Sequence, residues 1–266
     1  MPRTVPTRVS FLLFLSFFLG LALTILAFVD LHWTHWLLNH DDTQSPDAKP
    51  AVSAAAPEPP LDAQVDQLRQ SILNVRVAQC DQHGENVGTG FVVKASYVAT
   101  AAHILGNQQS CSGRIRLIDF KGREHSAALE GVSIADDLAL LRISDSSLPP
   151  LKLADASAYE RPNEVVRLMT IGYPLEQQGA SSQDSASISG EGSLSRFDRE
   201  HNVFVTSGLN VNKGNSGGPV FLRKNWQVLG IVRAKLSNEV GEGIGYVASI
   251  KTFQNFFREK TGQELP

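Results

Sequence analysis

The stretch Asn212-Lys213-Gly214-Asn215-Ser216-Gly217-Gly218-Pro219-Val220 decides how the rest of the chain is read. It sets a serine among small residues, just before the start of a strand. A serine hydroxyl is a weak nucleophile at neutral pH and needs a base beside it. It also needs backbone N–H donors aimed at the oxyanion that forms during attack. Gly214 and Gly217 let the backbone turn sharply and approach a substrate, because no Cβ intervenes. The segment therefore asks for a histidine and a carboxylate elsewhere, and the chain supplies both upstream.

The candidate base is His103, at the end of Tyr97-Val98-Ala99-Thr100-Ala101-Ala102-His103, where a strand runs into a turn of small residues. The candidate orienting carboxylate is Asp137, in Asp136-Asp137-Leu138-Ala139-Leu140-Leu141. A carboxylate there accepts from the imidazole, fixes its tautomer and stabilises the imidazolium. Asp136 is the rival, and Asp137 is preferred because it abuts the apolar run. Each residue alone is weak evidence: a lone histidine is usually a surface or core residue. Three motifs in the order His, Asp, Ser are strong evidence, and that order differs from those of subtilisins and α/β-hydrolases.

Their setting is all-β. From residue 71 onward the chain breaks into short apolar runs, many with β-branched or aromatic residues, separated by Gly, Asn, Asp and Ser. Strands are expected at 72–78, 90–93, 97–100, 115–120, 127–132, 138–143, 165–171, 201–206, 220–222, 228–232 and 245–248. Turn signals at this spacing suit a sandwich or barrel. Residues 61–70 predict a short helix, with Leu61, Val65 and Leu68 on one face. Residues 252–260 predict a second, carrying Phe253, Phe256 and Phe257 and ended by Gly262. The Ser/Gly-rich stretch 179–195 predicts a mobile loop, either a surface excursion or a loop that orders near a cleft.

With these pieces in place, the chain resembles trypsin-like serine proteases of the chymotrypsin fold, and within them the HtrA/Deg branch. The matching pieces are Gly88-Thr-Gly-Phe-Val-Val, Thr100-Ala-Ala-His103, Asp137-Leu-Ala-Leu-Leu, Gly172-Tyr-Pro, Asn212-Lys-Gly-Asn-Ser-Gly-Gly218 and Gly243-Ile-Gly-Tyr246, within about residues 68–260. The resemblance implies two packed six-stranded antiparallel β-barrels, about 70–153 and 154–250, with a C-terminal helix at 251–260 and the active site between the barrels. It also implies an oxyanion hole from the N–H groups of Gly214 and Ser216, with that of Asn215 between them in the turn. Asn210, Val211 and Asn212 would lie along one wall of the primary pocket, and Ile231, Val232, Arg233 and Lys235 along another.

Two departures from the family stand out. Digestive-type relatives carry an acid just before the nucleophile, which pairs with a freed N-terminus; here that residue is Asn215, so activation of that kind is not expected. Typical HtrA proteins carry PDZ domains after the protease, whereas 16 residues follow Ile250, so none is expected. The residue six before the serine is Asn210, not an acid, which argues against a strong preference for Arg or Lys and for a small or medium apolar side chain. Arg233 and Lys235 would favour acidic side chains, or else point to solvent.

Composition bounds the remainder. The 266 residues carry a formal net charge of −3 and no basic stripe or arm, so nucleic-acid binding is not suggested. Residues 9–29 (VSFLLFLSFFLGLALTILAFV) are 21 uncharged residues, long enough to cross a bilayer. Arg3 and Arg8 precede them and Asp30, Asp41 and Asp42 follow, which puts residues 1–8 in the cytoplasm and the rest outside. A cleaved signal peptide is the alternative, but the run ends Ala27-Phe28-Val29-Asp30, a poor cleavage site. The expectation is a signal anchor at 9–31 in the inner membrane, a Pro/Ala-rich linker at 32–60, and a protease domain at 61–266 on the periplasmic side. The anchor has no pair of glycines in a small-xxx-small pattern to support an oligomer. Cys80 and Cys111 form one disulfide or stay as two thiols; the sequence leaves both open.

The function expected is a serine endopeptidase acting on proteins or peptides, with no metal and no organic cofactor implied. The competing reading is a catalytically silent peptide-binding or chaperone-like module that uses the cleft between the barrels.

Overall fold

The structure is a computed structural model that describes residues 60–78, 84–106, 115–175, 186–209, 211–235 and 243–266. The expected anchor and linker, both cysteines and Asn210 lie outside the described residues. Among the described residues no helix is long and apolar enough to cross a membrane.

Helix α1 (Leu61–Arg69) leads into six strands: β1 (Ile72–Ala78), β2 (Glu85–Lys94), β3 (Tyr97–Thr100), β4 (Ile115–Ile118), β5 (Glu124–Ser133) and β6 (Leu138–Ile143). Six more follow: β7 (Arg167–Gly172), β8 (Ser187–Asp198), β9 (Val203–Ser207), β10 (Pro219–Leu222), β11 (Val228–Lys235) and β12 (Ile244–Ser249). Helix α2 (Ile250–Thr261) closes the domain. Each set of six forms a closed antiparallel barrel, β1-β2-β3-β6-β5-β4 and β7-β8-β9-β12-β11-β10. The two barrels share one strand order although no sequence repeat is visible between them. Closure leaves neither sheet an unpaired edge.

The period-2 alternation of strand side chains explains how both barrels bury their walls. Leu73, Val75, Val92, Val98, Ala139 and Leu141 fill the first barrel. Their neighbours Ile72, Phe91, Val93, Ala99, Leu138 and Leu140 turn the other way, into a larger core shared with the second barrel and α2. Leu138 to Leu141 are all fully buried, which is why this run reads as continuously apolar. On α2, Phe253, Phe256 and Phe257 are buried. Phe257 meets Tyr97 of β3 edge-on at 5.2 Å, so the helix that follows the second barrel is fastened to the first. Gly262 ends it in the left-handed conformation, φ 68°, and donates to the Arg258 carbonyl.

One expectation fails. The stretch 179–195 read as a mobile loop lies outside the described residues up to 185, and from Ser187 it is strand β8, which pairs with β7 on one side and β9 on the other. Most of its side chains are small or polar; Leu194 is buried and Phe197 packs on Phe204 at 4.9 Å. Two ladders of backbone hydrogen bonds hold it in place, with Leu194 and Phe197 as its apolar anchors. Gly192 serves this directly, because a Cβ there would collide with the Ser207 carbonyl and the Leu209 N–H.

Candidate active site

The site is assembled where the two barrels meet. His103 lies in a single 3-10 turn, Ala102–Leu105, immediately after β3. Asp137 ends the β5–β6 connection in the left-handed conformation, φ 55°, which aspartate tolerates better than most residues. Its N–H donates to the Ile134 carbonyl, and its own carbonyl accepts from Ala102 N–H. One carboxylate oxygen accepts from the His103 backbone N–H at 2.9 Å and the other meets His103 Nδ1 at 2.8 Å. The carboxylate thus fixes both the turn and the ring. With Nδ1–H bound to Asp137, Nε2 is left as the acceptor. Asp136 takes no part: its carboxylate accepts from the Ser133 hydroxyl.

Ser216 is half-buried in the turn before β10. No hydrogen bond joins it to His103 among the described residues, yet its neighbours bracket that histidine. Gly217, at φ 81°, packs so closely on Thr100 and Ala101 that a Cβ would clash with both. A Cβ on Gly88 would meet Ile104, beside His103, and the Ser216 carbonyl together.

The backbone of the serine turn is pinned one peptide plane after another. The Lys213 carbonyl accepts from Leu175 N–H at 2.8 Å, and the Asn215 carbonyl from Gly218 N–H at 2.9 Å. In a trans peptide the C=O and the following N–H point opposite ways. These two bonds therefore aim the N–H groups of Gly214 and Ser216 away from them, and neither N–H has a partner among the described residues. Asn215 differs from the expectation: its N–H donates to the Asn212 carbonyl at 3.1 Å and is not free to serve as a third donor. Gly214 has φ 97°, and a Cβ there would strike the Tyr173 carbonyl, so the turn needs glycine at this point.

Thr89 of β2, in the first barrel, holds this turn and was not visible as a functional residue. Its hydroxyl donates to the Gly214 carbonyl at 2.7 Å and accepts from Tyr173 N–H at 3.1 Å. Its N–H donates to the Ser216 carbonyl at 2.8 Å, and its carbonyl accepts from the Thr100 hydroxyl at 2.8 Å. Its position between two glycines in Gly88-Thr-Gly90 was the one available hint.

A cavity of about 720 Å³ opens beside the His103–Asp137 pair, bounded also by Ile134, His201, Arg233 and Tyr246. Ser216 is not among its lining residues. Of the residues expected along the primary pocket, Arg233 lines this cavity, Asn212 is half-buried, and Val211, Ile231 and Val232 sit in the hydrophobic core. Asn210 and the Lys235 side chain lie outside the description. Asp198, also lining the cavity, faces His201 Nδ1 at 3.3 Å. Desolvation opposes its ionisation, but His201 and the Glu200 N–H outweigh that and hold the carboxyl below its usual range.

The comparisons fit this geometry. The pattern of the trypsin-like peptidase domain matches residues 88–231, which include His103, Asp137 and Ser216. A probable periplasmic serine endoprotease, DegP-like, from Chlamydia trachomatis is 30% identical over 161 residues, 60% of this chain and 30% of the relative. The periplasmic pH-dependent serine endoprotease DegQ of Escherichia coli is 28% identical over 222 residues, 73% of this chain and 47% of that one. The serine protease Do-like HtrA of Bacillus subtilis is 31% identical over 168 residues, covering 60% and 36%. The chain thus spans between about a third and a half of the length of these relatives. The crystal structure of a serine endoprotease from Yersinia pestis has the same fold, with a TM-score of 0.61 at 20% identity over 76% of this chain and 66% of that one. The chain belongs to the family of trypsin-like peptidase domains, and its relatives there are HtrA-type serine proteases.

Proposed function

We propose that the protein is a serine endopeptidase that hydrolyses peptide bonds through an acyl-enzyme on Ser216. The observation that carries the reading is the two-point grip of Asp137 on His103, next to a serine turn with two unpartnered N–H groups. In the first half-reaction His103 Nε2 takes the Ser216 proton as Oγ attacks the scissile carbonyl. Asp137 stabilises the imidazolium, and the N–H groups of Gly214 and Ser216 receive the oxyanion. The imidazolium then gives its proton to the leaving amine, and water repeats the sequence in reverse to release the acid.

The domain is taken as 61–266, with barrels at about 70–153 and 154–250 and the helix at 251–260, tethered by the anchor at 9–31 and the linker at 32–60. The 21 uncharged residues and their flanking charges support a place in the inner membrane, with the barrels on the periplasmic side. Cleavage or quality control of proteins near that face is the role that fits. Resistance of the full-length protein to alkaline carbonate extraction tests the anchor; release into the supernatant contradicts it.

Hydrolysis is tested by incubating the full-length protein with an unfolded protein such as carboxymethylated casein and reading fragments by mass spectrometry. Internal cuts that vanish in Ser216→Ala are expected. Binding of the same chain without cuts would favour the peptide-binding alternative.

A further inference from the structure

We propose that the cavity beside His103 receives an acidic side chain of the peptide, and that Arg233 is the residue that recognises it. The proposal deepens the endopeptidase reading and rests on it for the identity of the ligand as a peptide.

The backbone puts Arg233 there. Strand β11 pairs with β12 in register up to Val232 opposite Val247, and then resumes at Ala234 opposite Tyr246. Arg233 is the extra residue of this bulge, and bulges re-aim a side chain out of the sheet pattern. Its neighbour Val232 is tied to the serine turn on both sides, accepting from Gly217 N–H and donating to the Gly218 carbonyl. The bulge is therefore anchored at the Ser216 turn, and its arginine lines the cavity.

The guanidinium is held but not neutralised. Nη2 donates to the Ala135 carbonyl at 3.0 Å, two residues before Asp137 on the opposite barrel. A carbonyl takes one of the five N–H donors of an arginine and offers no charge in return. Among the described residues no carboxylate lies within ion-pair distance of Arg233.

The other charges of the cavity are matched. Asp137 uses both oxygens on His103. Asp198 faces His201, the Glu200 N–H and the Arg196 guanidinium. Among the described residues, the remaining walls are Ala102, Gly106, Ile134, Val203 and Tyr246, which bring no formal charge. Ile134 is 75% exposed, an apolar surface at the rim. A fixed cation with no counter-charge among the described residues of the cavity favours a carboxylate, which a guanidinium grips with two parallel bonds. Because Ala135 already restrains the side chain, less rotamer freedom is lost when a ligand arrives.

The test reads binding to the full-length Ser216→Ala variant, which keeps the cleft and lacks the nucleophile hydroxyl. Fluorescent decapeptides with both termini blocked carry one Glu or one Gln, stepped through the sequence, and affinity is measured by anisotropy. At one position the Glu peptide is expected to bind on the order of tenfold tighter than its Gln twin. Adding Arg233→Gln removes the difference, Arg233→Lys keeps part of it, and added salt shrinks it. Equal binding of Glu and Gln peptides at every position, a difference that survives Arg233→Gln, or no binding of any peptide overturns the proposal. Blocked termini separate a side-chain carboxylate from a chain end: preference for a free C-terminus over an internal Glu also overturns it. Loss of the difference by Arg233→Gln counts only where its melting temperature stays near that of the parent, and Arg233→Lys provides the check if it does not. The readout needs no turnover, so a protein that never cuts peptides can still pass it, and an active protease can still fail it.

Discussion

The hydroxyl of Thr89 in one barrel donates to the carbonyl of Gly214 in the other, at 2.7 Å and fully buried. The same residue's N–H holds the Ser216 carbonyl. A single threonine thus fixes, across the barrel interface, both residues whose free N–H groups would receive the oxyanion.

Thr89→Val keeps the shape and removes the hydroxyl, and with it the bonds from Thr89 to the Gly214 carbonyl and from the Tyr173 N–H. Acylation of Ser216 should slow by about ten- to a hundredfold, somewhat less than the loss of one oxyanion donor itself. Stability should fall by about 1–3 kcal/mol for the buried hydrogen bonds lost. Thr89→Ser should retain most of both. Stopped-flow acylation beside a melting curve separates the two effects, and equal rates in Val and Ser variants would remove the positioning role.

Asp137→Asn should fold, since asparagine also tolerates the left-handed backbone at φ 55°. It should nevertheless lose on the order of 10⁴ in kcat, because an amide can donate to His103 Nδ1 and so favour the wrong tautomer. Asp136→Asn should change kcat by less than about tenfold, because Asp136 bonds to Ser133 and not to the imidazole. Steady-state kinetics on the two variants decides between the adjacent acids.

Asn215 is completely buried, and neither side-chain polar atom has a partner among the described residues. Asn215→Asp would place a carboxyl there with no cation among the described residues to pair with. Burial would raise its pKa above the unfolded value, so the variant is tolerated while protonated and penalised as pH rises. A loss of at least about 2 kcal/mol at pH 7 is expected, shrinking towards pH 4, by chemical denaturation at both values.

Asp119 behaves in the opposite sense. Burial pushes its carboxyl up, but the Arg123 N–H, the His125 ring, the Arg123 guanidinium and the Lys121 N–H together hold it below the ordinary value of 3.8. A depressed folded pKa gives stability that is present above the unfolded value and lost as pH falls through the folded one. Asp119→Asn should cost on the order of 2 kcal/mol at pH 7 and flatten the acid limb of the stability curve. Denaturation midpoints from pH 2 to pH 7 check both halves.

How much of this was legible in the sequence follows from the kind of force at each place. Strands such as β1 and β6 announce themselves because their side chains are buried, so apolar runs such as Leu138 to Leu141 mark them. Strand β8 is held through its backbone by two neighbours, and Ser, Gly and charged residues on it conceal the ladder. His103, Asp137 and Ser216 are legible as a candidate triad through their identity and order. Thr89 does not: it lies 125 residues from Gly214, and nothing near it in the chain announces the bond. The reach of Arg233 into the cleft depends on a one-residue slip between β11 and β12, which a run of apolar residues cannot reveal. The commitment of the Asn215 N–H likewise depends on the turn's dihedrals and not on its composition.

An assembled nucleophile at Ser216 is probed by a fluorophosphonate on the full-length protein, with mass spectrometry to locate the adduct. One adduct per chain is expected, on Ser216, absent from Ser216→Ala and strongly slowed in His103→Ala. No adduct on the folded protein, or one equally fast without His103, would contradict it.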